Sequence, residues 1–207
     1  MLSKRLKTIA NLVDTKNVYD VGCDHALLDI YLSNNFNKNC IAIDVSEECV
    51  LKAKKNIEKN NSNVKVILNN GLENINILPD STVIISGMGT KNIIKIINKK
   101  NIDNLICQSN KNIYELRKNV CKLGYFIIDE EIIFEDKYYI IIKFKKGLKK
   151  YTEKELLLGP ILSLKKNETY VKYLNELKNN IEKNITKYDE NKLQRQLQIL
   201  NIIKKEL

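Results

Sequence analysis

Within the stretch NVYDVGCDHALLDI (Asn17–Ile30), two carboxylates and an imidazole crowd six residues: Asp20, Asp24 and His25, the only histidine of the chain. Gly22 sits among them, and a glycine lets backbone approach a ligand closely or take a positive φ. The apolar residues behind the turn read as a helix, whose first N–H groups have no intrahelical partner. A further acid, Asp44, ends the apolar run CIAIDV (Cys40–Val45), 22 residues beyond Gly22. A glycine turn after one strand and an acid closing the next is an adenosine-binding arrangement, in which the acid accepts the ribose hydroxyls.

Dinucleotide enzymes share that arrangement but use G-x-G-x-x-G to admit a pyrophosphate. Here Asp24 stands at the second glycine position, and no glycine follows it through Ala26 and Leu27. A carboxylate beside a pyrophosphate is repulsive, whereas beside a sulfonium and an amino-acid end it is attractive. The residues therefore favour S-adenosylmethionine over NAD. Each has a plainer alternative. Asp24 could cap the following helix, and His25 could be a structural histidine. Asn70-Gly71 and Gly87-Met88-Gly89 could be tight turns, and Gln108-Ser109-Asn110 a capped loop. What weighs against these is that all of them fall at strand ends.

The positioning elements follow from hydrophobic periodicity. Leu2, Leu6, Ile9, Leu12 and Val13 form a first helix that Ser3 can cap. Strands are predicted at Asn17–Val21, Cys40–Val45, Val64–Leu68, Thr82–Ser86 and Asn104–Cys107. The helices between them run from about His25 to Asn34, from Ser46 over Val50, Ala53 and Ile57, from Thr90 over Ile93, Ile94 and Ile97, and from Lys111 to Leu123. Tyr125–Phe134 and Tyr138–Lys145 are joined by three residues only, so they form an antiparallel hairpin. The expected fold is α/β, a doubly wound open sheet ending in a hairpin. Ligands on such sheets bind beyond the carboxyl ends of the strands. That is where Asp20–His25, Asp44, Asn70-Gly71, Ser86–Gly89 and Gln108–Asn110 all lie.

After GLKK (147–150) the pattern changes to helix only. Thr152 and Glu155 make a capping box. Tyr170, Leu174, Leu177, Ile181, Ile185 and Tyr188, then Leu193, Leu197, Leu200 and Ile203, recur at coiled-coil spacing. Residues 1–147 are thus expected to form the sheet domain and 148–207 a helical coiled-coil domain.

The chain has 207 residues, of which 43% are apolar, enough for a real core. Its net charge of +10 is spread evenly, which suits either a nucleic-acid partner or a solvated lysine-rich surface. Arg5, Arg117 and Arg195 are the only arginines, so bidentate phosphate contacts have few candidates. Cys23, Cys40, Cys49, Cys107 and Cys121 contain no C-x-x-C pair and sit mostly in apolar runs. They read as small buried hydrophobes in a reducing compartment, with no metal and no disulfide. No transmembrane or signal segment stands out. The expectation is a soluble cytoplasmic protein, not on a membrane, working as a monomer.

Four stretches make the chain similar to the bacterial tRNA (adenine-22-N1)-methyltransferases: LSKRLKTIA (Leu2–Ala10), DVGCDHA (Asp20–Ala26), SGMGT (Ser86–Thr90) with QSN (Gln108–Asn110), and GPIL (Gly159–Leu162) before a helical tail. The resemblance departs at Asp29 (proline in the family), Asn70 (aspartate), Thr90 (glycine) and Ser109 (proline). It implies a Rossmann-like class I methyltransferase with a C-terminal coiled-coil domain. S-adenosylmethionine would be the donor, and N1 of an adenine in the tRNA D-loop the acceptor.

On that resemblance, Asp24 and His25 are the expected catalytic residues. Asp20, Gly22, Asp44, Val45, Asn70, Gly71, Gly87 and Met88 are expected to bind the cofactor. Lys4, Arg5, Met88, Gly89, Gln108 and Asn110 are expected to bind the tRNA. No N-P-P-aromatic motif follows strand 4, which speaks against methylation of an exocyclic amine. Two rivals share these strand ends: a methyltransferase acting on another RNA or a small molecule, and a non-catalytic RNA-binding protein with a methyltransferase fold.

Overall fold

The computed structural model describes residues 2–207. Seven strands form one sheet: β1 (Asn17–Val21), β2 (Asn39–Asp44), β3 (Lys65–Leu68), β4 (Ser81–Met88), β5 (Asn104–Ser109), β6 (Tyr125–Phe134) and β7 (Tyr138–Lys146). Their spatial order is β3-β2-β1-β4-β5-β7-β6. The first five are parallel, while β7 runs antiparallel to β5 and β6 antiparallel to β7. From β1 the chain winds outward one way through β2 and β3, then returns to β4 and winds the other way. The switch point lies between β1 and β4, where an open parallel sheet opens a crevice at its carboxyl edge.

Helices α1 (Lys4–Asn11), α2 (Leu27–Phe36), α3 (Glu47–Lys59), α4 (Thr90–Ile97) and α5 (Ile113–Lys122) cover the sheet. Successive strand side chains point to opposite faces. Val18 and Ala42 therefore join Ile9, Leu28, Leu32 and Ala53 of α1, α2 and α3 in one apolar cluster. Tyr19, Val21, Ile43 and Ile85 join Ile93, Ile97, Leu116 and Val120 of α4 and α5 in the other. By the same alternation Asp20 points to the α1–α2 side.

Two boundaries differ from expectation for a local reason. Asp24 and Ala26 both hold a left-handed φ, +53° and +55°, so α2 starts only at Leu27. β4 continues past Ser86 to Met88 through an irregularity in its pairing with β5 at Gly87, where φ is +78°.

The tail forms α6 (Glu153–Leu158), α7 (Pro160–Lys165), α8 (Glu168–Asn184), a 3₁₀ turn (Ile185–Lys187) and α9 (Glu190–Glu206). Thr152 and Glu155 make the expected capping box at the start of α6. Of the expected seam positions, Tyr170, Leu174, Ile181, Leu200 and Ile203 are buried, and Leu197 is exposed. The buried ones share a cluster with α4, α5 and the sheet.

The GPIL stretch lies over a buried ion pair. Arg117 Nε on α5 donates to Glu130 Oε1 on β6 at 2.7 Å, with both side chains essentially inaccessible. Arg117 Nη1 also donates to the carbonyls of Leu156 and Leu157 at the end of α6. Glu130 Oε2 accepts from the N–H groups of Ile161 and Leu162 at the start of α7. The pair thus satisfies groups that the two helix ends leave open. Gly159 joins the helices with φ +95°, and a β-carbon there would stand 2.6 Å from Arg117 Nη2.

Candidate active site

The loop after β1 is pinned to β2 by its own backbone. The N–H groups of Gly22 and Cys23 both donate to the Ile43 carbonyl, at 2.8 and 3.1 Å. This brings the next N–H, that of Asp24, to Asp44 Oδ2 at 3.0 Å. Asp44 Oδ1 accepts from the Ser46 N–H, also at 3.0 Å. Both carboxylate oxygens are thereby fixed, each keeping a lone pair for hydroxyl donors.

Two cavities open along this edge. The larger, about 360 Å³, is lined by Gly22, Asp44, Val45, Asn70, Gly71 and Met88 among others. The smaller, about 270 Å³, is lined by Arg5, Asp20, Asp24, His25, Leu27 and Gly87 among others. Gly22 borders both. A β-carbon on Gly22 would stand 2.3 Å from Met88 Cε, so the methionine methyl rests on the glycine at the junction. A long ligand can lie across such a junction with one end in each cavity.

The larger cavity suits an adenosine. It offers a fixed acid for hydroxyls, apolar walls from Val45, Leu72 and Ile96, and an amide from Asn70. Asn70 Nδ2 donates to Glu73 Oε1 at 2.6 Å, which leaves its carbonyl oxygen for an amino group. The smaller cavity is the acidic one. Asp24 is largely exposed, with Oδ1 3.4 Å from His25 Nε2. It caps nothing, because the residue flanking α2 is Ala26 and no side chain caps that helix. Asn56 Nδ2 donates to the His25 carbonyl and steadies the loop from α3. Burial pushes Asp20 up to about 7, with a hydrogen bond from Asp29 and the Arg5 charge opposing the rise.

Behind Gly87 lies a polar brace. The Gly87 N–H and Arg5 Nη1 both donate to Gln108 Oε1, at 3.0 and 2.9 Å. Asn110 Nδ2 donates to the Gly87 carbonyl at 2.7 Å. Gln108 and Asn110 therefore shape the smaller cavity through Gly87 and Arg5. Gly89 flanks the start of α4 and lines neither cavity. Lys4 is drawn to the β6–β7 turn, where Nζ donates to the Phe134 carbonyl at 3.3 Å.

Two departures from the family pattern meet here. The hydroxyls of Thr90 and Ser109 lie 2.9 Å apart, and both donate to the Lys111 carbonyl. Sequence reasoning missed Glu73, Lys95 and Lys100, which line the larger cavity. Lys100 reaches it from beyond α4 by donating to the Leu72 carbonyl, a long-range contact without local signature. Among the described residues no helix is long and apolar enough to cross a membrane, and no cluster of His, Cys, Asp or Glu could hold a metal ion.

A parallel sheet closed by an antiparallel hairpin, with a one-glycine acidic loop at its switch point and a fixed acid after β2, defines a Rossmann-like class I methyltransferase. A family model described as a methyltransferase domain matches residues 2–142. MG248 of Mycoplasma genitalium, whose name assigns it provisionally as a tRNA methyltransferase, is 34% identical over 174 residues, 78% of each chain. The structure of M. capricolum TrmK with S-adenosyl-homocysteine superposes with a TM-score of 0.86 at 32% identity, covering 99% of this chain and 97% of that one. The B. subtilis m1A22 tRNA methyltransferase TrmK gives 0.85 at 27%, covering 100% and 98%. The chain belongs to the tRNA (adenine-22-N1)-methyltransferase family of methyltransferase-domain proteins.

Proposed function

We propose that this protein transfers a methyl group from S-adenosylmethionine to N1 of an adenine in tRNA, at position 22 of the D-loop. The observation that carries this reading is the pair of cavities meeting at Gly22, one built for an adenosine and the other lined by Asp20, Asp24 and His25. When bound, the donor supplies an electrophilic sulfonium methyl. The N1–CH₃ bond forms as the S–CH₃ bond breaks, the electron pair stays on sulfur, and the positive charge passes to the adenine ring.

Adenine N1 holds a free lone pair at neutral pH, so no base is needed to activate it. The chain's task is alignment and exclusion of water. Asp44 and Asn70 fix the adenosine end, with Val45 and Gly71 as walls. Asp20 faces the donor's ammonium. Met88 and the Gly87 backbone flank the acceptor base, braced by Gln108, Asn110 and Arg5. Asp24 stabilises the charge that develops on the ring by accepting a hydrogen bond from the exocyclic amine. His25 orients Asp24 across their 3.4 Å contact.

The acceptor adenine must leave the tRNA fold, so base flipping is part of this reading. The basic first helix with Lys4 and Arg5, and the coiled-coil helices of residues 148–207, grip the tRNA by shape and phosphate charge. The direct test is incubation with labelled donor and unmodified tRNA transcripts, followed by mapping of the methylated base. N1-methyladenine at position 22 is expected, and label on an exocyclic amine or on no RNA overturns the assignment. Asp24→Asn is expected to lower the methylation rate at least about tenfold with donor affinity unchanged. A full rate in that variant removes Asp24 from the mechanism.

A further inference from the structure

Asp29 lies on the inner face of α2 with no solvent exposure. Neither of its carboxyl oxygens meets a donor group of the protein. An isolated buried carboxylate is costly in that setting. The group it faces at hydrogen-bonding range is a second buried carboxyl, that of Asp20. Two carboxylates in contact do not both stay ionised, so one proton is held between them. Only Asp20 reaches a cavity wall, beside Asp24 and Arg5, while Asp29 is sealed behind it. The proton therefore sits on Asp29.

The other charged and titratable groups around the pair fit this placement. The Arg5 charge on α1 favours ionisation of Asp20, and the Asp44 charge on β2 opposes it. Cys23 in the loop and Cys40 on β2 lie near both acids, and burial raises both thiols, so they stay neutral. On the β4 side Asp20 pairs with Ile84, which cannot titrate. Burial and the neighbouring Asp20 push Asp29 well above the usual carboxylate range.

We propose that Asp29 is a positioning residue for methyl-donor binding: its buried carboxylic acid donates a hydrogen bond to Asp20 and holds that carboxylate, ionised, toward the donor's ammonium group. This rests on the reading of Asp20 as a donor-binding residue. It makes donor affinity sensitive to mild acid, because protonating Asp20 removes the charge that meets the ammonium. It also confines that sensitivity to ligands that carry an ammonium.

The test is calorimetric titration of the full chain between about pH 5.5 and 7.5 with two probes. S-adenosylhomocysteine carries the amino-acid end and 5′-methylthioadenosine lacks it. The affinity for S-adenosylhomocysteine is expected to fall about tenfold as the pH is lowered through this range, the direction set by a carboxyl that becomes protonated below neutrality. The affinity for methylthioadenosine is expected to stay flat. Asp29→Asn, whose amide still donates, should keep this profile. Asp29→Leu should move the acid limb to higher pH and weaken S-adenosylhomocysteine several-fold at pH 7, with methylthioadenosine unchanged.

Both substitutions remove a buried carboxyl without a protein donor, so both chains should fold, and their melting is recorded alongside. An unmoved limb in Asp29→Leu overturns the role of Asp29 while leaving Asp20 in place. An acid limb shared by both probes in the unsubstituted protein overturns the placement of Asp20, and the inference with it.

Discussion

Replacing Arg117 by Met tests whether the buried ion pair fastens the tail to the sheet. The substitution leaves Glu130 wholly buried without its 2.7 Å partner, and it strips the Leu156 and Leu157 carbonyls of their donor. Removing one member of such a pair costs about 3–5 kcal/mol. For a chain of this length each kcal/mol lowers Tm by about 2–4 °C, so a fall of about 6–20 °C is expected. Glu130→Met should cost a similar amount, since it leaves the guanidinium buried and frees the N–H groups of Ile161 and Leu162. The double variant holds no uncompensated charge. It should cost less than the sum of the single variants by at least about 2 kcal/mol. Urea and thermal unfolding of the four proteins, followed by circular dichroism, close the cycle. Additive costs, or single variants within about 1 kcal/mol of the unsubstituted chain, would show that the pair behaves like a solvated surface contact and does not fasten the GPIL stretch to the sheet.

Gly22→Ala should weaken S-adenosylhomocysteine binding measured by calorimetry, because φ is +81° there and the added carbon meets the Met88 methyl at the junction of the cavities. Asp29→Leu should raise Tm at pH 8, with the gain fading toward pH 4. An acid whose folded pKa is raised binds more protons folded than unfolded, so its presence lowers stability as pH rises above the unfolded value, and removing it lifts that loss. tRNA binding should weaken steeply with salt in a filter or fluorescence assay, with a linear fall of log affinity against log salt that S-adenosylhomocysteine binding does not share.

Much of this architecture was open to reading from the chain itself. The apolar runs of β1, β2, β4 and β5 leave no alternative to a buried parallel sheet, and three residues between β6 and β7 leave none to a hairpin. The spacing of Gly22 and Asp44 placed the acid at the cavity wall where it is found. What could not be read is non-local. Arg117 and Glu130 sit in segments whose patterns give no hint that each ends in a buried charge. The pair makes sense only when α6 and α7 arrive from residues 156–162. The partition into two cavities depends in the same way on Met88 folding back over Gly22. Asp29 reads locally as an acid early in a helix, a favourable position, and its burial against Asp20 emerges only when α2 docks on the sheet.

The same contacts separate the parts of the site that are fixed in advance from those left free. Asp44 is held at both oxygens by backbone N–H groups, and Gly87 is held from both sides by Gln108 and Asn110. These groups are ordered by the fold itself, so donor binding does not have to order them. Asp24 and His25 differ. They stand on a loop with left-handed residues at Asp24 and Ala26, and Asp24 keeps most of its surface in water. A carboxylate in water stabilises a distant charge weakly, and one from which water has been displaced does so strongly. A flipped base entering the smaller cavity would cover Asp24 and displace that water as the ring becomes cationic. On the proposed mechanism, the exposure of Asp24 would let the acceptor itself complete the electrostatics of the step.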